Sequence, residues 1–173
     1  MSSLWGKCLN QRNETLKESS RLASIDDIEI LTFLRKEAIS EVENKRGGKV
    51  LVNLNSFSED SSGNFSDWFN SSDHLIFTGL FGDAVVAYGV LEFSITNDTR
   101  RVASIKEIFV LNDARSVGVG ESVIQLMIKE AIENNAVGID SFALPGDRET
   151  KNFFETQGMV ARLTHVYRPL ESN

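Results

Sequence analysis

Cysteine, proline and histidine are scarce in this sequence. It contains one cysteine, two prolines and two histidines among 173 residues. The single cysteine, Cys8, excludes an intramolecular disulfide and a cysteine metal cluster, so we expect a reducing, cytoplasmic location. The two histidines, His74 and His165, lie far apart without carboxylates at ligand spacing, which predicts no metal site.

Long apolar runs and an excess of positive charge are also missing. No run approaches the ~18 residues that span a membrane, and the first 20 residues lack the continuous apolar core of a secretory signal. The net charge of −7 disfavours nucleic-acid and membrane-surface partners, although a small basic pocket for an anionic ligand is compatible with it. With 41% hydrophobic residues, the composition predicts one globular domain, at 20–173 behind a polar tail at 1–19.

Apolar periodicity predicts an α+β fold with a mixed, mostly antiparallel sheet flanked by helices. Period-two patterns and buried apolar runs predict strands, and amphipathic patterns between capping signals predict helices. In chain order we expect a strand at 20–25, a helix from 28 to about 46, and strands at 74–80, 84–95 and 101–111. A helix at 121–134, a strand at 137–144, a helix at 147–157 and a final strand or hairpin at 159–170 follow.

The segment 55–73 is rich in Ser, Asn and Asp, which predicts a loop. It carries three aromatic residues, Phe65, Trp68 and Phe69. Two interpretations stay open: the aromatics anchor a short helix on the body, or they belong to a lid over a site.

The stretch RSVGVG (115–120) joins the third long strand to the following helix. Gly118 and Gly120 lack the Cβ atoms that would keep a ligand away from the backbone, and the helix N-terminus has unpaired N–H groups suited to phosphate. A tight strand-to-helix turn is the simpler interpretation. The dinucleotide fingerprint GxGxxG fails because Val123 occupies its last position, and no Gly-Lys-Ser/Thr follows.

The residues of RSVGVG, with those before and after it in the chain, match two known motifs. Arg115, Gly118 and Gly120 match the motif Gln/Arg-x-x-Gly-x-Gly/Ala, the preceding FVLNDAR has matching spacing, and KNFFETQGMVAR (151–162) fits a second signature downstream. On these residues the chain resembles the GNAT superfamily of acyl-CoA-dependent N-acyltransferases, over roughly 20–170.

The resemblance implies acetyl-CoA as co-substrate. The backbone amides of the loop would cradle its pyrophosphate, its pantetheine arm would lie along the fourth strand where that strand splays from the fifth, and Asn152 would face it. Arg148 and Lys151 are candidates for its phosphates, or simply a solvated basic face. The implied cofactor-binding residues are Phe109, Val110, Leu111, Arg115, Ser116, Val117, Gly118, Val119, Gly120 and Asn152.

Acyl transfer to an amine needs a base and a donor for the oxyanion. No paired nucleophile is evident, which agrees with direct attack by the amine. Glu107, on the fourth strand where the family often has a working carboxylate, is the predicted base; a solvated position or an ion pair with Lys106 or Arg101 is the alternative. The backbone N–H near Val110 would donate to the oxyanion.

The general acid is where the chain departs from the family. Phe154 occupies a position where tyrosine is frequent, and a phenyl ring cannot donate a proton. Tyr167 is the predicted substitute acid, with His165 as a further candidate, and Tyr88 and His165 are predicted to line the acceptor site.

Together these features predict an N-acetyltransferase for a small-molecule or protein amine. The alternatives are a catalytically weak acyl-CoA-binding sensor and a structural domain without a ligand. Edge strands near the C-terminus could pair two copies into a homodimer.

Overall fold

The computed structural model describes residues 17–54, 61–164, 166, 168 and 170. No helix in this part of the chain is long and apolar enough to cross a membrane. The elements in chain order are β1 (Glu18–Leu22), α1 (Ile28–Glu43), α2 (Gly48–Leu54), α3 (Ser61–Phe69), β2 (His74–Phe81), β3 (Ala84–Ile95), β4 (Arg101–Val110), α4 (Val119–Glu133), β5 (Ile139–Asp140) and α5 (Arg148–Thr156).

Five strands form one sheet in the order β1-β2-β3-β4-β5. The first four pair antiparallel: helices α1 to α3 lie between β1 and β2, whereas short turns join β2, β3 and β4. Strands β4 and β5 pair in parallel across the crossover helix α4. The predicted α+β class and the mixed, mostly antiparallel sheet are therefore confirmed.

Each face of the sheet carries its own apolar core. One core packs α4 and α5 on the sheet, with Met127 and Phe154 among its buried members. The other packs α1 and α3 on the opposite face around Leu31, Phe65 and Tyr88. The helices that surround the functional region thus approach β3 and β4 from both sides.

A β-bulge in β4 decides which face each of its side chains meets. Val90 of β3 lies opposite Glu107, but Leu91 lies opposite Ile105, so Lys106 is the extra residue. Ile105 packs in the α4 core, and so does Ile108, three residues later. Because the side-chain alternation restarts at the bulge, Glu107 is directed to the α1 face although Ile105, two residues earlier, faces α4.

Helix α4 lies unusually close to the sheet. A Cβ atom at Gly79 would lie 2.6 Å from Cγ2 of Val123, and one at Gly89 would lie 2.8 Å from Sδ of Met127. Glycine at these two strand positions therefore permits the close packing that holds the N-terminus of α4 against the sheet.

Several local predictions differ from the structure. The predicted loop at 55–73 contains α3, whose Phe65 is fully buried, so the short-helix interpretation holds for its aromatics. Helix α2, at Gly48–Leu54, is not among the predicted elements. No strand forms in the described part of 159–170. His74, the first residue of β2, is partly buried and stacked on Trp68.

The entry to α1 is held by Asp27, which bonds to Arg21 at 2.7 and 2.9 Å and to the Ser24 amide at 2.8 Å. The Arg21 hydrogen bond is the main reason that the pKa of Asp27 falls to about 2. Because the pKa of Asp27 is lower in the folded protein, the ionised carboxylate stabilises the fold at pH values above its ordinary pKa of 3.8. This stabilisation is lost as pH falls towards 2.

We expect Asp27→Asn to lower the free energy of unfolding by about 1–2 kcal/mol at pH 7, because Arg21 is partly exposed and its attraction is screened. The difference from the unsubstituted protein should shrink to near zero at pH 2. Urea unfolding at both pH values measures this, and an equal difference at the two would contradict the assignment.

Candidate active site

A cavity of about 320 Å³ opens beside the second half of β4. Its volume is in the range of small-molecule sites. Its wall comes from α1, α2, β3, β4, the loop before α4, the first turn of α4, the chain after β5 and α5. The residues named in the sequence analysis that line it are Tyr88, Lys106, Glu107, Phe109, Val110, Arg115, Ser116, Gly120 and Phe154.

The cavity exists because β4 and β5 separate after two paired residues. Their parallel pairing covers only Ala103 with Ile139 and Ser104 with Asp140. Beyond this point the segments 106–110 and 141–144 line opposite sides of the cavity. The edge of β4 is therefore open to a ligand, as the resemblance implied.

The backbone of β4 presents polar groups to this opening. The Leu111 N–H donates to Val86 of β3 at 2.9 Å, on the far side from the cavity. Neighbouring residues of a strand direct their N–H and C=O groups to opposite edges, so those of Val110 point into the opening. The Val110 N–H thus points into the cavity, and its predicted contact with the oxyanion stays a prediction.

The glycine loop has two residues in the left-handed region before α4 begins. Ser116 has φ 65° and Gly118, at the helix N-cap, has φ 89°. Alternating conformations of this kind turn successive N–H groups towards one point. A Cβ at Gly120 would lie 3.3 Å from Cγ2 of Val110 and 3.4 Å from Cε2 of Phe153, so this glycine keeps the end of the cavity open.

Arg115 is already engaged in the wall of the cavity. Its backbone N–H bonds to the Asn112 carbonyl at 3.2 Å, and its Nε donates to the Val110 carbonyl at 3.1 Å. Its Nη2 pairs with Glu41, and its Nη1 lies 3.9 Å from Glu149. Any anion at the loop would therefore meet the N–H groups from Ser116 onwards, with the Arg115 guanidinium beside them.

A chain of ion pairs crosses the cavity mouth from α1 to α5. Lys45 lies 3.0 Å from Glu41 and 2.9 Å from Asp147, which caps α5. Burial would raise the pKa of Glu41, but hydrogen bonds from Arg115 and Lys45 outweigh it and leave that pKa below its usual value. These side chains therefore stay ionised and link the two walls.

At the floor of the cavity lies a buried charge pair. Arg35 of α1 is 2% exposed and Glu107 is 9% exposed. The Arg35 Nε lies 3.0 Å from both carboxylate oxygens, and its Nη2 lies 2.8 Å from Oε1. Tyr88 donates from its hydroxyl to Oε2 at 2.7 Å. Glu107 is thus buried rather than solvated, and its cation is Arg35. Lys106, its neighbour on β4, pairs with Glu92 instead.

Helix α3 closes this pair off from water on its outer side. The Arg35 guanidinium lies 5.0 Å from the centre of the Trp68 ring and 5.9 Å from that of Phe65. Phe65 also packs edge-on against Tyr88 at 5.8 Å. Burial, with the adjacent Glu107 carboxylate, raises the pKa of Tyr88 well above its usual range, so its hydroxyl stays protonated.

A sequence profile of the Acetyltransferase (GNAT) family matches residues 38–159 of this chain. The chain belongs to this family. No curated protein matches it.

Solved structures share the GNAT fold at low sequence identity. An aminoglycoside acetyltransferase, meta-AAC0020 from an uncultured soil metagenomic sample, is 16% identical with a TM-score of 0.69, covering 89% of this chain and 97% of that one. AAC(6')-Iy, solved with the bisubstrate analog CoA-S-monomethyl-acetylneamine, is 13% identical with a TM-score of 0.69, covering 90% and 99%. A transcriptional regulator of Bacillus halodurans C-125 is 16% identical with a TM-score of 0.67, covering 88% and 99%.

Some predicted site residues of this GNAT protein lie away from the cavity. Asn152 is exposed on α5 and does not line the cavity, whereas Phe153 and Phe154 do. Leu111, Val117, Gly118 and Val119 are adjacent to the lining without belonging to it. Tyr167 and His165 are outside the described residues, so their predicted roles stay predictions.

Sequence reasoning overlooked Arg35, the partner of Glu107. A signal was present, because Arg35 falls on the apolar stripe of α1, seven residues after Ile28 and seven before Val42. A charged residue at a core position of an amphipathic helix requires a buried partner of opposite charge.

We expect Arg35→Met to lower the free energy of unfolding by about 3–5 kcal/mol, because it leaves the Glu107 carboxylate buried without its cation. The double variant Arg35→Met/Glu107→Leu should recover most of this loss, since it removes both charges. Urea unfolding with a constant m-value measures both effects. Full stability of the single variant would contradict the buried pair.

Proposed function

We propose that this GNAT protein is an N-acetyltransferase that moves an acetyl group from acetyl-CoA to a primary amine by direct attack. The observation that carries the proposal is the opening between β4 and β5, which has the glycine loop at one end and the Glu107 carboxylate at its floor. A thioester carbonyl between these two features would lie beside the Val110 N–H and within reach of the carboxylate.

The residues present fit acetyl-CoA. The loop offers N–H groups and the positive end of the α4 dipole to a pyrophosphate, and the open edge of β4 offers backbone groups to the amides of the pantetheine arm. Glu121 lines the same end of the cavity, and Glu18 lies beside Gly118. Neutral N–H groups and Arg115 would therefore have to supply the attraction for the phosphates.

The acceptor is proposed to be a cationic amine. The charged residues that line the cavity are five carboxylates and three cations: Glu41, Glu107, Glu121, Asp147 and Glu149, against Lys45, Lys106 and Arg115. Because Arg35 pairs with Glu107 from outside the lining, one net negative charge is left. It would attract a protonated amine, which must then lose a proton before it attacks. One structural neighbour is named as an aminoglycoside acetyltransferase, and another was solved with a bisubstrate analog that contains acetylneamine. These names support testing a small polyamine first.

Location and assembly remain part of the proposal. The single cysteine supports a reducing, cytoplasmic setting. A homodimer and the division into a tail at 1–19 and a domain at 20–173 stay predictions.

A second candidate is an acyl-CoA-binding sensor with weak catalysis. It is favoured by Phe154, which is buried at the cavity wall where the family frequently has tyrosine and carries no proton to donate. One structural neighbour is named as a transcriptional regulator. A sensor would bind acetyl-CoA without releasing thiol to any amine.

We expect acetyl-CoA to raise the melting temperature, and Gly120→Val to remove most of that rise. A ligand at about 100 times its Kd adds about 2.7 kcal/mol, which is roughly 5–10 °C for a domain of this size. The valine side chain would fill the space between Val110 and Phe153. Differential scanning fluorimetry with acetyl-CoA and free CoA measures the shift.

Gly138→Val is the matched control, because a Cβ there meets nothing within 4 Å and Gly138 does not line the cavity. It should keep the full shift. An equal shift in both variants would contradict the cradle, and no shift in the unsubstituted protein at millimolar acetyl-CoA or CoA would contradict the proposed function.

We expect thiol release from acetyl-CoA in the presence of at least one member of a panel of polyamines, aminoglycosides and N-terminal peptides. Glu107→Gln should lower kcat/KM by about 100-fold, because the amide cannot accept the proton of the amine. Full activity in this variant would remove Glu107 as the base. A ligand-induced shift without thiol release from any amine would favour the sensor.

A further inference from the structure

Tyr88 connects the cavity wall to the buried Glu107 carboxylate. Tyr88 lines the cavity and donates to Oε2 of Glu107 at 2.7 Å. A phenol oxygen that donates one hydrogen bond can accept another at the same time. Within the described part of the chain, no donor is bonded to this oxygen. The hydroxyl can therefore bond an incoming amine without leaving Glu107.

The Glu107 carboxylate itself has little capacity left. Oε1 is approached by Nε and Nη2 of Arg35 at 3.0 and 2.8 Å, and Oε2 by the Arg35 Nε at 3.0 Å and by the Tyr88 hydroxyl. A carboxylate has about four acceptor positions. Three donated hydrogens engage them, because the single Arg35 Nε–H is shared between both oxygens, so at most one position is left open. An amine that bonded Glu107 directly would have to use that position in a buried place or displace one of these partners.

We propose that Tyr88 is a catalytic residue that takes the proton of the attacking amine while passing its own hydroxyl proton to Glu107. This inference rests on the proposed function and refines it: Glu107 remains the final proton acceptor, and Tyr88 is the group that touches the amine. Arg35 is a positioning residue, because it holds the carboxylate in line with the hydroxyl.

The step balances in atoms and charge. The amine enters the step neutral, after its extra proton has passed to water. Its N–H bond breaks as a new O–H bond forms on Tyr88, and the old Tyr88 O–H bond breaks as Oε2 of Glu107 gains its proton. The amine nitrogen bonds to the thioester carbon, whose bond to sulfur then breaks. The proton on Glu107 returns through Tyr88 to the thiolate, so that the products are the amide and the free thiol.

The surroundings of Tyr88 require the two transfers to be coupled. Its ring is 1% exposed and packed between Phe65 and Phe109. A tyrosinate beside the Glu107 carboxylate in this buried place is strongly disfavoured. The hydroxyl must therefore lose one proton as it gains the other. The returning proton also replaces the one that Phe154 cannot donate.

The test compares the unsubstituted protein with Tyr88→Phe, using acetyl-CoA and the best amine of the panel. Thiol release is measured in mixtures of H₂O and D₂O. We expect Tyr88→Phe to lower kcat/KM by about 100-fold and to leave the acetyl-CoA thermal shift unchanged. In the unsubstituted protein a plot of rate against deuterium fraction should be curved, because two protons move together. In the variant the plot should be linear.

Thr78→Val is the matched control for losing a hydroxyl from the same sheet. Thr78 is the cross-strand neighbour of Tyr88 and is buried, and its Oγ1 has no hydrogen-bond partner among the described residues. It does not line the cavity. Its activity should stay within about twofold of the unsubstituted protein, whereas a loss equal to that of Tyr88→Phe would show a packing effect and overturn the relay.

Two further outcomes would overturn the relay alone: Tyr88→Phe with activity within about twofold of the unsubstituted protein, or a linear deuterium dependence in the unsubstituted protein. The second measurement needs no variant, so it decides the matter even if Tyr88→Phe does not fold. Absence of turnover in the unsubstituted protein with every amine would overturn the proposed function, and the relay with it.

Discussion

The hydrogen-bonded pair of Arg35 and Glu107 ties together the elements around the active site. It joins α1 to β4, Tyr88 extends it to β3, and α3 covers it with Trp68. Removing two ions from water costs several kcal/mol for each, and the return depends on good geometry and full hydrogen bonding. Both carboxylate oxygens meet that condition here. A buried pair of this kind is a weak source of stability but a strict constraint on position, because moving α1 or α3 would expose or separate the charges. The carboxylate at the cavity floor is thus held in place by α1 and by the apolar core that α1 and α3 form on this face of the sheet.

The bulge at Lys106 and the early separation of β5 create the place where that carboxylate acts. If the side chains of β4 alternated regularly through Lys106, Glu107 would share a face with Ile105 and point into the apolar core beneath α4. Because the bulge also changes which backbone groups reach the edge of β4, the Val110 N–H and the Glu107 side chain serve the same cavity. One local irregularity therefore positions both the proposed oxyanion donor and the proposed proton acceptor.

Electrostatics at the two ends of the cavity favour different ligand groups. The end formed by the glycine loop offers a helix N-terminus and Arg115, which suit an anion. The mouth carries the linked side chains of Glu41, Lys45 and Asp147, where negative charge is in excess. An anionic donor and a cationic acceptor would thus be drawn to separate parts of one opening. Arg115 contributes to both, since its guanidinium pairs with Glu41 while its Nε bonds the end of β4.

Much of the fold could be predicted from local pattern. The long strands, the amphipathic helix α4, the Asp147 cap of α5 and the glycine loop all follow from periodicity and from residues with strong local preferences. The sequence by itself therefore determined the order of the long strands and of α1, α4 and α5, the mixed sheet and the family. It also identified Glu107 and Tyr88 as candidates, but as separate residues with separate roles. The tertiary structure alone decided that they share a hydrogen bond, that Arg35 completes the group, that Asn152 faces away from the cavity and that α3 forms within a polar segment. The physical reason is that the burial of a charge, and the face to which a strand residue points after a bulge, depend on tertiary contacts. The partners of Glu107 lie 19 and 72 residues away in the chain, which is beyond the range of any local pattern.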